Sequence, residues 1–258
     1  MAKTAAIASG SNGNCYFLES GGDSVLVDAG ISCKELNLRM EQMKLKLSRI
    51  GGVFITHEHS DHIRGLETLA KRFEVPIYLT EGTLKAKMLK LNDRLINIVR
   101  DGSKIGIGNI KVNAFSKSHD AAEPCSYMLH SGKFNVSVMT DIGKVCSNVV
   151  DNIKNSDVAF LESNYDENML MNGRYPYFLK NRITGERGHI SNYQAALAVM
   201  QHATKRLKHV FLSHLSGNNN TPELALNTFN SIIKERRDFK INAILSSRDS
   251  HSQIVELE

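Results

Sequence analysis

The chain has 258 residues, 41% hydrophobic and 23% charged, enough apolar side chains for a sizeable core, which excludes a disordered chain. A net charge of +5 at pH 7 mildly favours a polyanionic partner such as nucleic acid. No apolar run reaches the roughly 18 residues of a membrane span, and Gly and Asn interrupt the start too early for a signal peptide, so a cytoplasmic location is expected. Cys15, Cys33, Cys125 and Cys146 form no CxxC pair and read as reduced, partly buried thiols.

Short β-rich runs come first, at Thr4 to Ser9, Cys15 to Glu19, Ser24 to Val27 and Val53 to Thr56, parted by turn clusters such as Gly10-Ser11-Asn12-Gly13-Asn14. Helices are predicted from Ser32, with Glu35 in capping-box spacing, to about Leu47, and over Thr80 to Leu91. Strands return at Lys111 to Phe115, Ser126 to His130 and Val136 to Thr140. The last third alternates: strand Val158 to Leu161, a helix capped by Ser191 with Gln194 three residues on, strand His209 to Ser213, a helix after Thr221-Pro222-Glu223, and strand Ile241 to Leu245. With no repeat or linker in view, residues 1–258 are expected to form a single α/β domain. A layered αββα sandwich suits the pattern, as do other α+β folds.

The densest chemistry is Thr56-His57-Glu58-His59-Ser60-Asp61-His62, directly after the apolar strand Gly52-Val53-Phe54-Ile55. Alternation in extended chain points His57 and His59 to one side, and the turn into the next helix brings Asp61 and His62 round beside them. Crowding three imidazoles and a carboxylate into six positions is costly without a cation, and these are ligands for zinc or manganese, with iron and nickel also compatible.

This H-x-H-x-D-H pattern resembles the signature of the metallo-β-lactamase superfamily, whose four-layer αββα fold is then expected. The later motifs follow in order at predicted strand ends: Ser118-His119-Asp120, Met139-Thr140-Asp141-Ile142-Gly143 and Ser213-His214-Leu215. The resemblance implies two metal ions, one on His57, His59 and His119, the other on Asp61, His62 and His214, with Asp141 between them. Flavodiiron proteins carry glutamate where His59 stands, which disfavours oxygen reduction. Asp28, in Leu26-Val27-Asp28-Ala29-Gly30, reads as a loop-anchoring acceptor rather than a ligand. His130, His202, His209 and His251 lack ligand context.

Two metals can lower the pKa of a shared water, so hydrolysis follows, of phosphodiester, thioester, lactone or β-lactam alike. Between Arg174 and Arg187 stand four basic residues (Arg174, Lys180, Arg182, Arg187) and one acidic, interleaved with Tyr175, Tyr177 and Phe178. That mixture suits phosphate contact with base stacking, and equally a solvated helix face with the aromatics in the core. Gly188-His189-Ile190-Ser191 resembles the turn that places a non-ligand histidine beside the scissile phosphate in nuclease branches of the superfamily. Leu161-Glu162-Ser163-Asn164 resembles the strand end carrying its acidic partner, and the capped helix start after Ser191 could turn N–H groups to the substrate.

Ser9 to Asn14, Glu162 to Asp166 with Met169-Leu170, Gly173-Arg174-Tyr175-Pro176, Leu179 to Ile183, and His214-Leu215-Ser216 with Asn219-Asn220 together resemble the YycJ/WalJ family. That resemblance implies a nuclease, most simply a DNA exonuclease, associated with a two-component system. Asp61 would orient or deprotonate the attacking water, His189 with Glu162 would act at the phosphate, and Arg174, Lys180, Arg182, Arg187 and Asn192 would bind substrate. The rivals are a hydrolase of a small cyclic phosphodiester or thioester, and a non-catalytic metal-stabilised regulatory module.

Overall fold

The computed structural model of the protein describes residues 1–238 and 240–258. They fall into two compact units that alternate along the chain, 1–116, 121–134 and 247–258 in the first, 117–120 and 135–246 in the second.

The first unit opens with β1 (Ala2–Ala8), β2 (Cys15–Ser20) and β3 (Asp23–Val27), an antiparallel meander. Parallel strands β4 (Ile50–Phe54), β5 (Ile77–Thr80) and β6 (Ile96–Val99) extend it, and the C-terminal strand Val255–Leu257 pairs with β1. Helices α1 (Cys33–Gln42), α2 (Ser60–Ile63), α3 (Leu66–Phe73) and α4 (Glu81–Ala86) lie in the connections. The unit also holds the antiparallel run β7 (Lys104–Ile107), β8 (Ile110–Ser116) and β9 (Cys125–Ser131). Its core joins Leu36 and Met40 of α1 and Leu66 and Leu69 of α3 to Ile7, Phe17, Leu26, Val53 and Ile77 of the sheet.

The predicted helix from Ser32 is shorter than expected. Ser32 does cap Glu35 N, but Glu35 turns its own carboxylate to Arg39 at 2.7 Å instead of closing a capping box. After Met43 the chain turns left-handed at Lys44 (φ 59°), and Leu45 N returns to Met40 O, a C-terminal stop that its sequence does not announce. The second predicted helix likewise stops at Ala86.

In the second unit four strands run parallel in the order β10 (Phe134–Met139, from Asn135 on in this unit), β11 (Val158–Glu162), β12 (His209–Ser213) and β13 (Asn242–Leu245). Helices α5 (Ser147–Asn155), α6 (Glu167–Asn172), α7 (Tyr177–Thr184), α8 (Asn192–His202) and α9 (Pro222–Ile233) complete it. Every residue of β11 is buried, as a central parallel strand covered on both faces requires. Glu162 is its last residue, paired in register with Ser213, so the carboxyl ends of β10, β11 and β12 put Asp141, Glu162 and His214 at one level, where parallel sheets bind ligands.

Phe160 of β11 and Phe211 of β12 are paired in register, fully buried and stacked with centroids 4.4 Å apart. Phe160→Ala should therefore cost about 3–5 kcal/mol, seen as a lower urea midpoint with an unchanged slope. A midpoint within error of wild type would show that this layer is not what holds the strands.

Candidate active site

In the first unit, β4 delivers Ile55 and Thr56 and then His57, His59, Asp61 and His62. Asp28, buried at the end of β3 with a left-handed backbone (φ 63°), accepts from Thr56 N at 2.8 Å and from Thr56 Oγ1, and its Oδ2 lies 2.8 Å from His62 Nδ1. A carboxylate can only accept, so His62 carries its proton on Nδ1 and presents the Nε2 lone pair. Asp28 is thus the anchor that the sequence led us to expect. His57 Nε2 and His59 Nδ1 lie 3.1 Å apart, and His62 Nε2 lies 3.4 Å from Asp61 Oδ2.

Asn14 is a residue that the sequence showed within a turn cluster and a family-like motif, with no role assigned to it. Its backbone N–H donates to Asp61 O at 2.8 Å, and its side-chain amide reaches Asp61 Oδ2 (3.2 Å) and His62 Nε2 (3.1 Å). Gly30 closes the same clasp: a Cβ there would lie 1.6 Å from Asp61 O, so only glycine lets the loop after β3 pack on the histidine motif.

In the second unit the buried Glu162 carboxylate collects five donors. Oε1 accepts from His189 Nδ1 (2.8 Å), His214 Nδ1 (2.9 Å) and Asp141 N (3.2 Å); Oε2 accepts from Ile142 N (2.9 Å) and Ile190 N (3.2 Å). Burial alone would raise the carboxyl, but the charge of His189 and the hydrogen bonds from His189 and His214 outweigh it and bring it down to about 2. Because a carboxylate can only accept, each ring carries a proton on Nδ1 and presents Nε2 as its other polar atom. Asn164 adds a bond to His214 O at 2.8 Å.

His119, delivered after β8 and almost fully buried, has Nδ1 3.1 Å from Gly188 O and Nε2 3.7 Å from Asp141 Oδ1. Burial is the main cause that brings its pKa down to about 4, so the ring is neutral at pH 7. Gly188 is hemmed in, since a Cβ there would approach the carbonyls of Arg182 and Ile183 at 2.2 Å. His189, with 21% of its side chain exposed, opens to solvent more than His119 or His214.

The donors fit divalent cations. Two ligands of one tetrahedral ion at about 2.0–2.2 Å stand roughly 3.4 Å apart. Separations of 3.1 Å for His57 with His59, 3.4 Å for Asp61 with His62 and 3.7 Å for His119 with Asp141 match this spacing. In the second unit Asp141, Glu162, His189 and His214 bring ligand atoms within 4.8 Å of one another. The Glu162 oxygens are taken up by N–H donors, which marks this residue as an orienting acceptor rather than a ligand.

The proposed substrate residues fare unequally. Arg182 binds Asp120 Oδ2 through Nε and Nη2, both at 2.6 Å; Lys180 donates to Met171 O and Arg187 to His119 O. Arg174 is exposed and makes no hydrogen bond or ion pair among the described residues. Tyr177 and Phe178 are 75% and 73% exposed, which removes the alternative that these aromatics fill the core. Asn192 requires a correction: it is 2% exposed and its amide is engaged with Ser163 Oγ and Asn220, so it braces the loop and cannot contact substrate. The start of α8 is closed as well, because Gln194 N donates to Ser191 Oγ and Asn192 N to Tyr165 O, leaving those donors unavailable to an anion.

Residues 23–214 match the Beta-lactamase superfamily domain. The chain is 38% identical over 237 residues to exodeoxyribonuclease YycJ of Bacillus anthracis, covering 89% of this chain and 88% of the relative. It is 35% identical to exodeoxyribonuclease WalJ of Streptococcus pneumoniae, covering 86% and 85%. The solved metallo-β-lactamase fold protein YhfI of Bacillus subtilis superposes with a TM-score of 0.75 at 15% identity, over 99% of both chains. The fold is therefore the metallo-β-lactamase fold, one that implies divalent metals, and the chain belongs to the YycJ/WalJ family within that superfamily. Among the described residues no helix is long and apolar enough to cross a membrane.

If Glu162 orients His214 as a ligand, Glu162→Gln should weaken metal retention by about 10–100-fold, the usual loss on removing such a partner. Competition with a chromogenic chelator reads this, and retention equal to wild type would show that the His214 ring needs no anionic acceptor.

Proposed function

We propose that this protein is a metal-dependent exodeoxyribonuclease. His57, His59 and His119 would hold one divalent ion, Asp61, His62 and His214 a second, with Asp141 common to both, and zinc or manganese as the expected metals. The observation that carries the reading is the 2.8 Å pair of His189 Nδ1 with the buried Glu162, beside Asp141 and His214. It supplies an oriented imidazole that, on this reading, is spared from the ligand set and serves the phosphate. Relatives named exodeoxyribonucleases at 35–38% identity support the same activity.

Bound metals would supply a water of lowered pKa and screen the charge of the phosphate. The rest falls to the side chains. Asp61, held by Asn14 through its main-chain carbonyl and Oδ2, would orient that water and take its proton. His189 would direct Nε2 to the phosphate, there to stabilise developing charge or to protonate the leaving oxygen; Glu162 holds the ring in place through Nδ1. Arg174 is the cation best placed to take a backbone phosphate, with Lys180, Arg182 and Arg187 in supporting roles because each is already engaged within the protein. The location is read as cytoplasmic and DNA as the partner. One domain over residues 1–258 and the association with a two-component system belong to the same reading.

The direct test incubates manganese- and zinc-reconstituted protein with end-labelled single- and double-stranded DNA and RNA; stepwise loss of labelled DNA ends is expected, and no phosphodiester cleavage under any condition would sink the reading. Within it, His189→Ala should keep both ions by metal analysis yet lose roughly 10²–10⁴-fold in turnover. Loss of metal together with activity would instead make His189 a ligand.

A further inference from the structure

The motif Gly173-Arg174-Tyr175-Pro176 and the loop after His214 are far apart in sequence, yet the fold closes them round one cavity. A pocket of about 500 Å³ is walled by Met169 and Asn172 of α6, by Arg174 and Tyr175, and by Asn218 and Asn219. The volume lies in the range of small-ligand sites and is far too small for a duplex.

Its walls are fixed from below. Asn219 is buried, its carbonyl accepts from Asp166 N at 2.8 Å, and its own N–H donates to Ser216 Oγ. Ser216 N in turn donates to Asn164 O, the residue that holds the His214 carbonyl. On the other side Asn218 Nδ2 donates to Tyr175 Oη at 2.8 Å, which sets the phenol ring as one wall. Asn218 is four steps along the chain from His214, so the pocket wall lies at most about 14 Å from that candidate-site residue.

The chemistry is that of one nucleotide. Arg174 offers an exposed guanidinium with no hydrogen bond or ion pair among the described residues, suited to a bidentate phosphate contact. Tyr175 and the Met169 thioether offer a flat, polarisable surface for a base, which any base can use because each has a π face. Asn172 and Asn218 are exposed members of the lining, and their amides can meet base edges without dictating which base enters. Tyr177 and Phe178, two and three residues after Tyr175, are exposed at the start of α7.

Resting on the nuclease reading, we infer that this pocket receives a single unpaired nucleotide at the end of the DNA strand, base against Tyr175 and Met169, phosphate on Arg174. Such a pocket selects a terminus because a base inside a duplex cannot enter it. It assigns Tyr175, Met169 and Asn218 to substrate binding and gives Arg174, the cation of the basic stretch left unpaired among the described residues, the terminal phosphate.

The test is calorimetric titration of metal-loaded wild type, Tyr175→Ala and Arg174→Met with dAMP, dTMP and inorganic phosphate, with cleavage of end-labelled DNA by wild type in parallel. Both nucleotides should bind wild type at least about tenfold more tightly than phosphate. Tyr175→Ala should weaken them by roughly 5–150-fold, the cost of one lost base stack, and leave phosphate binding as it was. Arg174→Met, at an exposed position that leaves the fold intact, should weaken them too. Nucleotide affinities unaltered in both variants overturn the pocket, and if wild type still cleaves DNA the nuclease reading survives that result. Variant-sensitive nucleotide binding without DNA cleavage keeps the pocket and overturns the nuclease reading instead.

Discussion

A single buried carboxylate organises the second unit. Glu162 has no access to solvent, and an isolated charge there would be strongly disfavoured; five N–H donors from three separate chain segments make it tolerable. The dependence runs both ways. Without the charge, Asp141, Ile142 and Ile190 lose the acceptor for their main-chain N–H groups, and the rings of His189 and His214 lose what sets their tautomer. Those two rings share one oxygen, so the same atom sets the orientation of His214, the proposed metal ligand, and of His189, the group proposed for the phosphate. Asp28 plays the corresponding part in the first unit, joining Thr56 to His62.

The backbone bears strain at these places. Asp28, Asp141 and His214 follow the ends of β3, β10 and β12, and each adopts a left-handed conformation, φ 63°, 54° and 57°, that costs a non-glycine residue about 1–3 kcal/mol. Glycine would relieve that cost and forfeit the side chain. Strands rigid enough to hold such turns are required, and the buried β11 and the Phe160–Phe211 stack supply that rigidity in the second unit.

Much of the clustering was legible in the sequence, because the candidate ligands are local and punctuated. His57 to His62 sit in six consecutive positions, and His119, Asp141 and His214 each follow an apolar run whose β character is plain. The caps at Ser191 and Thr221 were legible for the same reason, since capping is written within four residues. Short elements were not: β5, β6 and β7 have four residues each, and α3 carries no capping side chain. Long-range polar contacts were invisible too. Asn14 looks like any turn asparagine until it meets Asp61 47 positions later, and Asn192 looks like a surface residue until Ser163 and Asn220 enclose it. The stretch from Arg174 to Arg187 was ambiguous because composition cannot say which way a helix faces; exposure of Tyr177 and Phe178 takes those two out of the core.

The central claim is that His189 and Glu162 act as one device on the phosphate. Single-turnover DNA cleavage by wild type, His189→Ala, Glu162→Gln and the double variant, all at saturating metal, tests it most directly. Residues that work through each other lose less together than the product of their separate losses, so the double variant should fall well short of that product. A double variant whose loss equals the product would mean that the two residues act independently, and the 2.8 Å bond between them would then have no part in catalysis.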